Sequence, residues 1–205
     1  PAYNEAQRIS TVIQSIAPYA EEILVVDDGS EDDTAEVAVE AGASVIRQKH
    51  SGYTTALKRG LHESKHDIIV TMDADGEHRA SDIPRLTAPI VSEKADLVLG
   101  VRTKHPRISE AIITWLTNLK VSTGDACTGF RAMKRSLALQ LTLKGPCTCG
   151  LLVLEADSFG AKIIDVPITT RQINKKRQMA WYHIEQAWRV IIWLLRQKKG
   201  KEQAA

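Results

Sequence analysis

Three short apolar runs, each breaking abruptly into polar residues, constrain the fold of this chain most. They are Leu24-Val25-Val26-Asp27-Asp28-Gly29, Ile68-Ile69-Val70-Thr71-Met72-Asp73-Ala74-Asp75 and Leu97-Val98-Leu99-Gly100-Val101-Arg102. Rich in β-branched residues and too short for helices, they have the pattern of buried strands. Helical patterns separate them. Ile9, Val12, Ile13 and Ile16 form one stripe. Ser30 or Asp32 can cap a helix through Glu40, closed by Gly42 before a short strand, Ala43 to Arg47. Thr54 to Glu63 is the next helix. Ser81 to Ser92 follows, started or kinked by Pro84 and interrupted near Pro89. This alternation predicts an α/β fold with a mostly parallel central sheet and helices on both faces. Such sheets bind ligands at the C-terminal strand ends, which places Asp27, Asp28, Asp73, Asp75 and Arg102 on one rim.

The second run carries the chemistry. Side chains at i and i+2 of an extended chain point the same way. Asp73 and Asp75, with Glu77 two further on, are therefore expected to converge past the strand end. Carboxylates that close repel one another unless a cation lies between them, and a hard divalent ion takes oxygen ligands and leaves room for phosphates. An acidic turn built on Asp75-Gly76 would read the same in isolation.

Charge is unevenly spread. Residues 1–100 hold 18 acidic and 9 basic side chains, and residues 101–205 hold 7 and 18. An acidic half suits a metal and a basic half suits phosphates, although two solvated faces would give the same counts. With 205 residues, one domain is the default. Three cysteines, Cys127, Cys147 and Cys149, make no disulfide framework and point to a reducing compartment. Cys147-Thr148-Cys149 has no second ligand pair in the sequence, so no zinc site is expected. No apolar run approaches the ~20 residues of a membrane span, and no signal peptide is expected. A strand preceding Pro1 is expected from the pattern.

The second half is less regular. Ser109 to Lys120 reads as a helix, Asp125 to Arg131 as a loop entering a short strand, and Lys134 to Leu141 and Leu151 to Phe159 as helices. Ile163 to Pro167 reads as a strand ended by its proline. Beyond a domain spanning 1–170, residues 171–205 read as a basic loop and an amphipathic helix. Trp181, Ile184, Trp188, Ile191 and Leu195 share one face of that helix, broadened by Ile192, Trp193 and Leu194 and flanked by Arg189, Arg196, Lys198, Lys199 and Lys201. Tryptophan beside basic residues suits a membrane interface; docking on the domain's own core is the alternative.

The motifs, in order, are Pro1-Ala2-Tyr3-Asn4-Glu5, Val25-Val26-Asp27-Asp28-Gly29-Ser30 with Asp33-Thr34, then Gly52, Ala56 and Gly60. They continue with Met72 to His78, Gly100 and Arg102, Asp125 with Thr128-Gly129-Phe130-Arg131, and Asp165-Val166-Pro167-Ile168. Their order and spacing resemble family 2 glycosyltransferases of the Rossmann-like GT-A fold, and within them dolichyl- or polyprenyl-phosphate mannose or glucose synthases. The resemblance implies that Pro1, Tyr3, Glu5, Val25 and Asp27 line the base and ribose of a nucleotide-sugar donor, a UDP- or GDP-hexose, with Asp28 beside them. It implies that Asp73, Ala74 and Asp75 hold the diphosphate through Mg²⁺ or Mn²⁺. Residue 77 is often Gln in the family and can be a metal ligand; here it is Glu77. Arg102 and Arg131 would approach the phosphates.

Three departures bear on the acceptor. Tyr53-Thr54 stands where the family has Lys-Gly. Leu151 stands where the family carries an acid, with Glu155 one turn later. After Val166-Pro167, Arg171, Asn174, Lys175, Lys176 and Arg177 replace the usual Gly-x-Ser-Lys loop.

The implied activity is inverting hexosyl transfer to a polyprenyl or dolichyl phosphate, with Asp75 and Arg102 in the catalytic set. Arg171, Lys175, Lys176 and Arg177 would take the acceptor phosphate at the cytoplasmic membrane face. A hydroxyl acceptor would instead need a base, for which Asp125 is the candidate. A non-catalytic nucleotide-sugar-binding module is the remaining alternative; a nucleic-acid partner is not expected. A dehalogenase-like phosphatase shares Asp-x-Asp-Gly, but there the motif follows the first strand and here it follows the third.

Overall fold

The computed structural model describes residues 1–103, 107–171 and 181–202. Six strands and eight α-helices alternate through most of these residues. They are α1 (Ala6–Ile16), β1 (Leu24–Asp27), α2 (Thr34–Glu40), β2 (Ser44–Arg47), α3 (Tyr53–Glu63), β3 (Ile68–Thr71), α4 (Ile83–Val91) and β4 (Leu97–Arg102). Then come α5 (Ile108–Thr117), β5 (Arg131–Lys134), α6 (Arg135–Ala138), α7 (Leu151–Ser158), β6 (Ile163–Ile168) and α8 (Tyr182–Glu202).

Strands β3, β5, β4 and β6 form one sheet in that order, and β1 and β2 pair separately. Strands β1–β2 and β4–β6 are parallel pairs, while β5 runs antiparallel between β3 and β4. Strands β3, β4 and β6 therefore share one direction, as the strand–helix alternation predicts, and only β5 is reversed. A cavity of about 660 Å³ lined by Val25, Val26, Ile69 and Val70 lies between β1 and β3. Ala2 makes an isolated parallel bridge to Asp27 at its end.

Successive residues of β4 enter different cores, as the two-residue period of a strand demands. Leu97 and Leu99 join Leu57, Ile113, Leu152 and Val190, from α3, α5, α7 and α8. Val98 joins Ile83, Leu86 and Ile90 of α4, with Phe130 and Ala132. A strand buried on both faces reads as an unbroken apolar run, which is why Leu97-Val98-Leu99 shows no alternation.

Two boundaries differ from the sequence expectation. Strand β6 continues through Pro167 to Ile168, because it is an edge strand whose proline needs no second ladder partner. Only Arg135–Ala138 of the expected Lys134–Leu141 helix is helical. Of the two readings of the α8 stripe, docking on the domain's own core is not what forms: Trp181, Ile184, Trp188 and Leu195 are exposed, and His183, Gln186 and Val190 form the buried face. That face packs along α5 and reaches α7.

Leu99 is fully buried at the centre of the larger core. Leu99→Ala is expected to lower unfolding free energy by about 2–5 kcal/mol, measured by urea denaturation; a loss under ~1 kcal/mol would show that the site collapses around the cavity.

Candidate active site

The rim is assembled by the register of β5. Thr71, the last residue of β3, pairs with Arg131, and Thr71 Oγ1 donates to Gly129 O at 2.8 Å. This lays Gly129-Phe130-Arg131 across the end of β3, where Asp73 follows. A Cβ on Gly129 would sit 2.3 Å from Asp73 Oδ2, so the glycine admits the carboxylate against the backbone.

His78 Nε2 lies 3.5 Å from Asp73 Oδ2, and the His78 ring packs on Phe130. Burial pushes the Asp73 carboxyl up, but the hydrogen bond and charge of His78, with Arg131 behind them, hold it below its ordinary value. Arg131 is 1 % exposed. Its guanidinium donates to Thr148 Oγ1 at 3.1 Å, while the buried Arg131 Nε and His78 Nδ1 have no hydrogen-bond partner among the described residues. Burial, with Asp73, also pushes the Tyr53 phenol up.

Asp75 follows in the turn. Its Oδ1 accepts from Glu77 N at 3.1 Å, and it lines a small cavity with Arg8, His78 and Arg171. Arg171 N donates to Glu77 O at 2.8 Å. The expected convergence of Asp73, Asp75 and Glu77 is not what the fold makes. Strand β3 ends at Thr71 and the chain turns at Ala74–Asp75, so the alternation of an extended chain no longer applies. Among the described residues, these three carboxylates do not form one close cluster. Two hard oxygen donors on one rim still fit Mg²⁺ or Mn²⁺, which commonly bind through one or two carboxylates plus substrate phosphates. Asp73 and Asp75 are the residues that would hold the ion.

Arg102 is held from two sides. Its Nε and a terminal nitrogen donate to Asp125 at 2.6 and 3.1 Å, and it donates to Glu110 of α5 at 2.9 Å. Burial opposes its charge, but Asp125, Glu110 and Glu77 hold its pKa above the ordinary guanidinium value. Asp125 is fully buried, and both its oxygens are engaged by Arg102. This geometry makes it the anchor of Arg102 and does not suit the base role expected of it. Glu110 carries no signal in the sequence, because only tertiary packing brings α5 to the end of β4. His78 sits within a recognised motif, but its contact with Asp73 depends on the turn.

At the β1 end, Ser30 donates its N–H, at 3.3 Å, and its hydroxyl to Asp27 Oδ1. Asp28 points instead to the loop before α3, accepting from Gln48 Nε2, Ser51 N and Gly52 N at 2.7, 2.9 and 2.8 Å. Tyr3 stacks on His50 with ring centroids 4.5 Å apart. Glu5 pairs with Arg8 at 3.1 Å, and Pro1, Val25 and Ala74 line the cavity beside β1. Leu151 is buried in the apolar core. Glu155 accepts from Thr142 N and Leu143 N, at 2.8 and 3.3 Å, and so braces a loop. Lys175, Lys176 and Arg177 lie outside the described residues.

Fold and rim together are those of the GT-A class of glycosyltransferases. The family model described as Glycosyl transferase family 2 matches residues 1–112, and the chain belongs to that family. A UDP-N-acetylglucosamine–dolichyl-phosphate N-acetylglucosaminyltransferase of Methanococcus voltae is 30% identical, over 83% of this chain and 83% of that protein. An undecaprenyl-phosphate 4-deoxy-4-formamido-L-arabinose transferase of Pseudomonas savastanoi pv. phaseolicola is 33% identical, over 66% of this chain and 45% of that protein. Among solved structures, glucosyl-3-phosphoglycerate synthase from Mycobacterium tuberculosis with Mn²⁺, UDP-glucose and phosphoglyceric acid superposes with a TM-score of 0.77 at 26% identity. That match covers 96% of this chain and 76% of the other.

Gly129→Ala is expected to displace Asp73 and cut Mn²⁺-dependent turnover of the nucleotide sugar roughly 100-fold without changing the circular dichroism spectrum. An unchanged rate would show that Asp73 does not need its present position. A second expectation concerns acid stability. Burial pushes the Asp28 carboxyl up, but its bonds from Gln48, Ser51 and Gly52 and the charge of His50 hold it below its ordinary value. Its contribution is therefore complete above the unfolded value of about 3.9 and is lost as the pH falls through the folded value. Asp28→Asn should flatten the acid limb of the stability–pH curve, read by thermal melts across that range.

Proposed function

We propose that this protein transfers a hexose, with inversion at the anomeric carbon, from a UDP- or GDP-sugar to a polyprenyl or dolichyl phosphate at a membrane surface. The observation that carries the acceptor is a pair of exposed apolar stripes on neighbouring helices. On α5, Ile108, Ile112, Trp115 and Leu119 just beyond its end recur at helical spacing, with Ile108 83% and Trp115 63% exposed. On α8, Trp181 immediately before the helix, Ile184, Trp188 and Leu195 do the same, with Trp181 71% and Trp188 62% exposed. The two helices pack together. Apolar patches this extensive mark interaction surfaces, and tryptophan-rich helices with basic flanks suit the headgroup region. Among the described residues no helix is long and apolar enough to cross a membrane, so contact through these stripes would be peripheral. A cytoplasmic-face location belongs to the same proposal.

The chemistry supports this reading. Departure of a nucleoside diphosphate from an oxocarbenium-like sugar calls for positive charge at the diphosphate. Arg131 lies buried beside Asp73, and Arg102 stays charged beside Glu77. A divalent ion held by Asp73 and Asp75, Mg²⁺ or Mn²⁺, would add Lewis-acid stabilisation of the leaving group. A phosphate acceptor is already an anion and needs no base, which agrees with Asp125 being engaged by Arg102 and with Leu151 at the family's acid position. Arg171, which lines the same small cavity as Asp75, would meet an acceptor phosphate. Asp27, Tyr3 and Glu5 would hold the base and ribose.

A soluble phosphorylated acceptor is the second reading, favoured by the structural likeness to a synthase crystallised with phosphoglyceric acid. Liposome flotation combined with a transfer assay separates the two. The protein is expected to float with anionic vesicles, to release with salt, and to lose flotation and lipid-phosphate transfer together when Trp115 and Trp188 become Ser. Transfer to a water-soluble phosphate at undiminished rate, with no flotation, would replace the lipid acceptor.

A further inference from the structure

Beneath the rim, three segments distant in sequence bring the three cysteines to one histidine. One ligand atom each from Cys147, Cys149 and His183 lies within 4.8 Å of the other two, and all three residues are buried. His183 Nε2 is 4.0 Å from Cys149 Sγ; Cys127 neighbours Cys149 but lies outside that close group, its Sγ 3.7 Å from Glu110 O. From Zn–S and Zn–N bond lengths, a tetrahedral site needs S···N of about 3.6 Å and S···S of about 3.8 Å. Cys147, Cys149 and His183 are therefore within a few tenths of an ångström to about one ångström of closing on an ion, and Cys127 would have to turn in from beside them.

The surroundings hold these groups in place. Ser109 Oγ of α5 lies 2.8 Å from His183 Nδ1. With Nδ1–H donating to Ser109, Nε2 turns its lone pair to the thiols, the arrangement that orients metal-binding histidines. Gln186 Nε2 donates to Cys149 O at 2.8 Å, Gly150 N donates to Ala126 O at 3.0 Å, and Arg131 holds Thr148 between the two cysteines. Thiolate and imidazole donors select zinc-like ions over Mg²⁺ or Mn²⁺, so this cluster differs in chemistry from the carboxylate rim.

We propose that Cys147, Cys149 and His183, with Cys127 as fourth ligand, bind a zinc-class divalent cation that fastens α8 to the loop supporting the rim. The sequence hides the site because its ligands come from the loop before β5, the turn before α7 and the first turn of α8. A closed four-ligand site is structural, and its effect would be to fix the position of the exposed stripe on α8 relative to the rim.

The test uses the full chain, purified under reducing conditions and dialysed free of loosely held metal. Mass spectrometric metal analysis should find one zinc per chain. Cobalt(II) added to the metal-free protein should give the intense visible bands of a tetrahedral thiolate site. Cys149→Ser and His183→Asn should each weaken cobalt binding at least tenfold, while Asp75→Ala keeps the full equivalent. Cys127→Ser, at a partly exposed position and so the variant least disturbing to the fold, should keep its circular dichroism spectrum and lose part of the thiolate-to-cobalt charge-transfer intensity. Zinc should raise the melting temperature of the parent protein and not that of Cys149→Ser. Background zinc after loading, identical cobalt affinity in Cys149→Ser, an unchanged spectrum in Cys127→Ser, or cysteines recovered as a disulfide without metal would each overturn the four-ligand site.

Discussion

Reversal of β5 between β3 and β4 is the constraint on which the candidate active-site rim depends. A parallel strand there would carry its loop to the opposite edge of the sheet. Running antiparallel, β5 places the residues before Arg131 at the edge where β3 ends. Gly129 can then meet Asp73 at a distance no side chain would allow, and Arg131 enters the sheet beneath it. Replacing this register would move an anion, a cation and a backbone carbonyl together.

The rim also shows how buried charge is kept. Arg102, Asp125 and Glu110 form a network with little solvent contact, and Arg107 extends it from the start of α5 at 2.9 Å. Desolvation of each group is substantial, and removal of one partner strands the others. The network fixes the direction of Arg102 and ties α5, with its exposed stripe, to the end of β4. The position of the Arg102 charge and the placement of an apolar surface thus rest on the same contacts.

Helix α8 joins the domain through an unusually polar buried face. His183 and Gln186 are buried with Val190, and each has a polar partner, Ser109 and the Cys149 carbonyl. Polar pairs of this kind define one register where a purely apolar seam would tolerate sliding. The tryptophans displaced from the core by this choice are left facing outward, where a cation–π contact between Lys120 and Trp193 marks the border of the seam.

The amino-acid sequence by itself determined the alternation of elements, the family and the rim location of Asp27, Asp73, Asp75 and Arg102. These follow from local periodicity and from polar residues that must leave a buried strand. Directions after the strand ends were not legible: Asp73, Asp75 and Glu77 form no close three-carboxylate cluster, because the chain turns at Ala74–Asp75 and a turn cancels the two-residue rule. The burial of His183 and Gln186 in place of Trp181 and Trp188 was equally hidden, because helical spacing shows a stripe without saying which side meets the core. Glu110 beside Arg102 and His183 beside Cys149 exist only through contacts between distant segments, and such contacts are decided by how β4, α5, α7 and α8 pack.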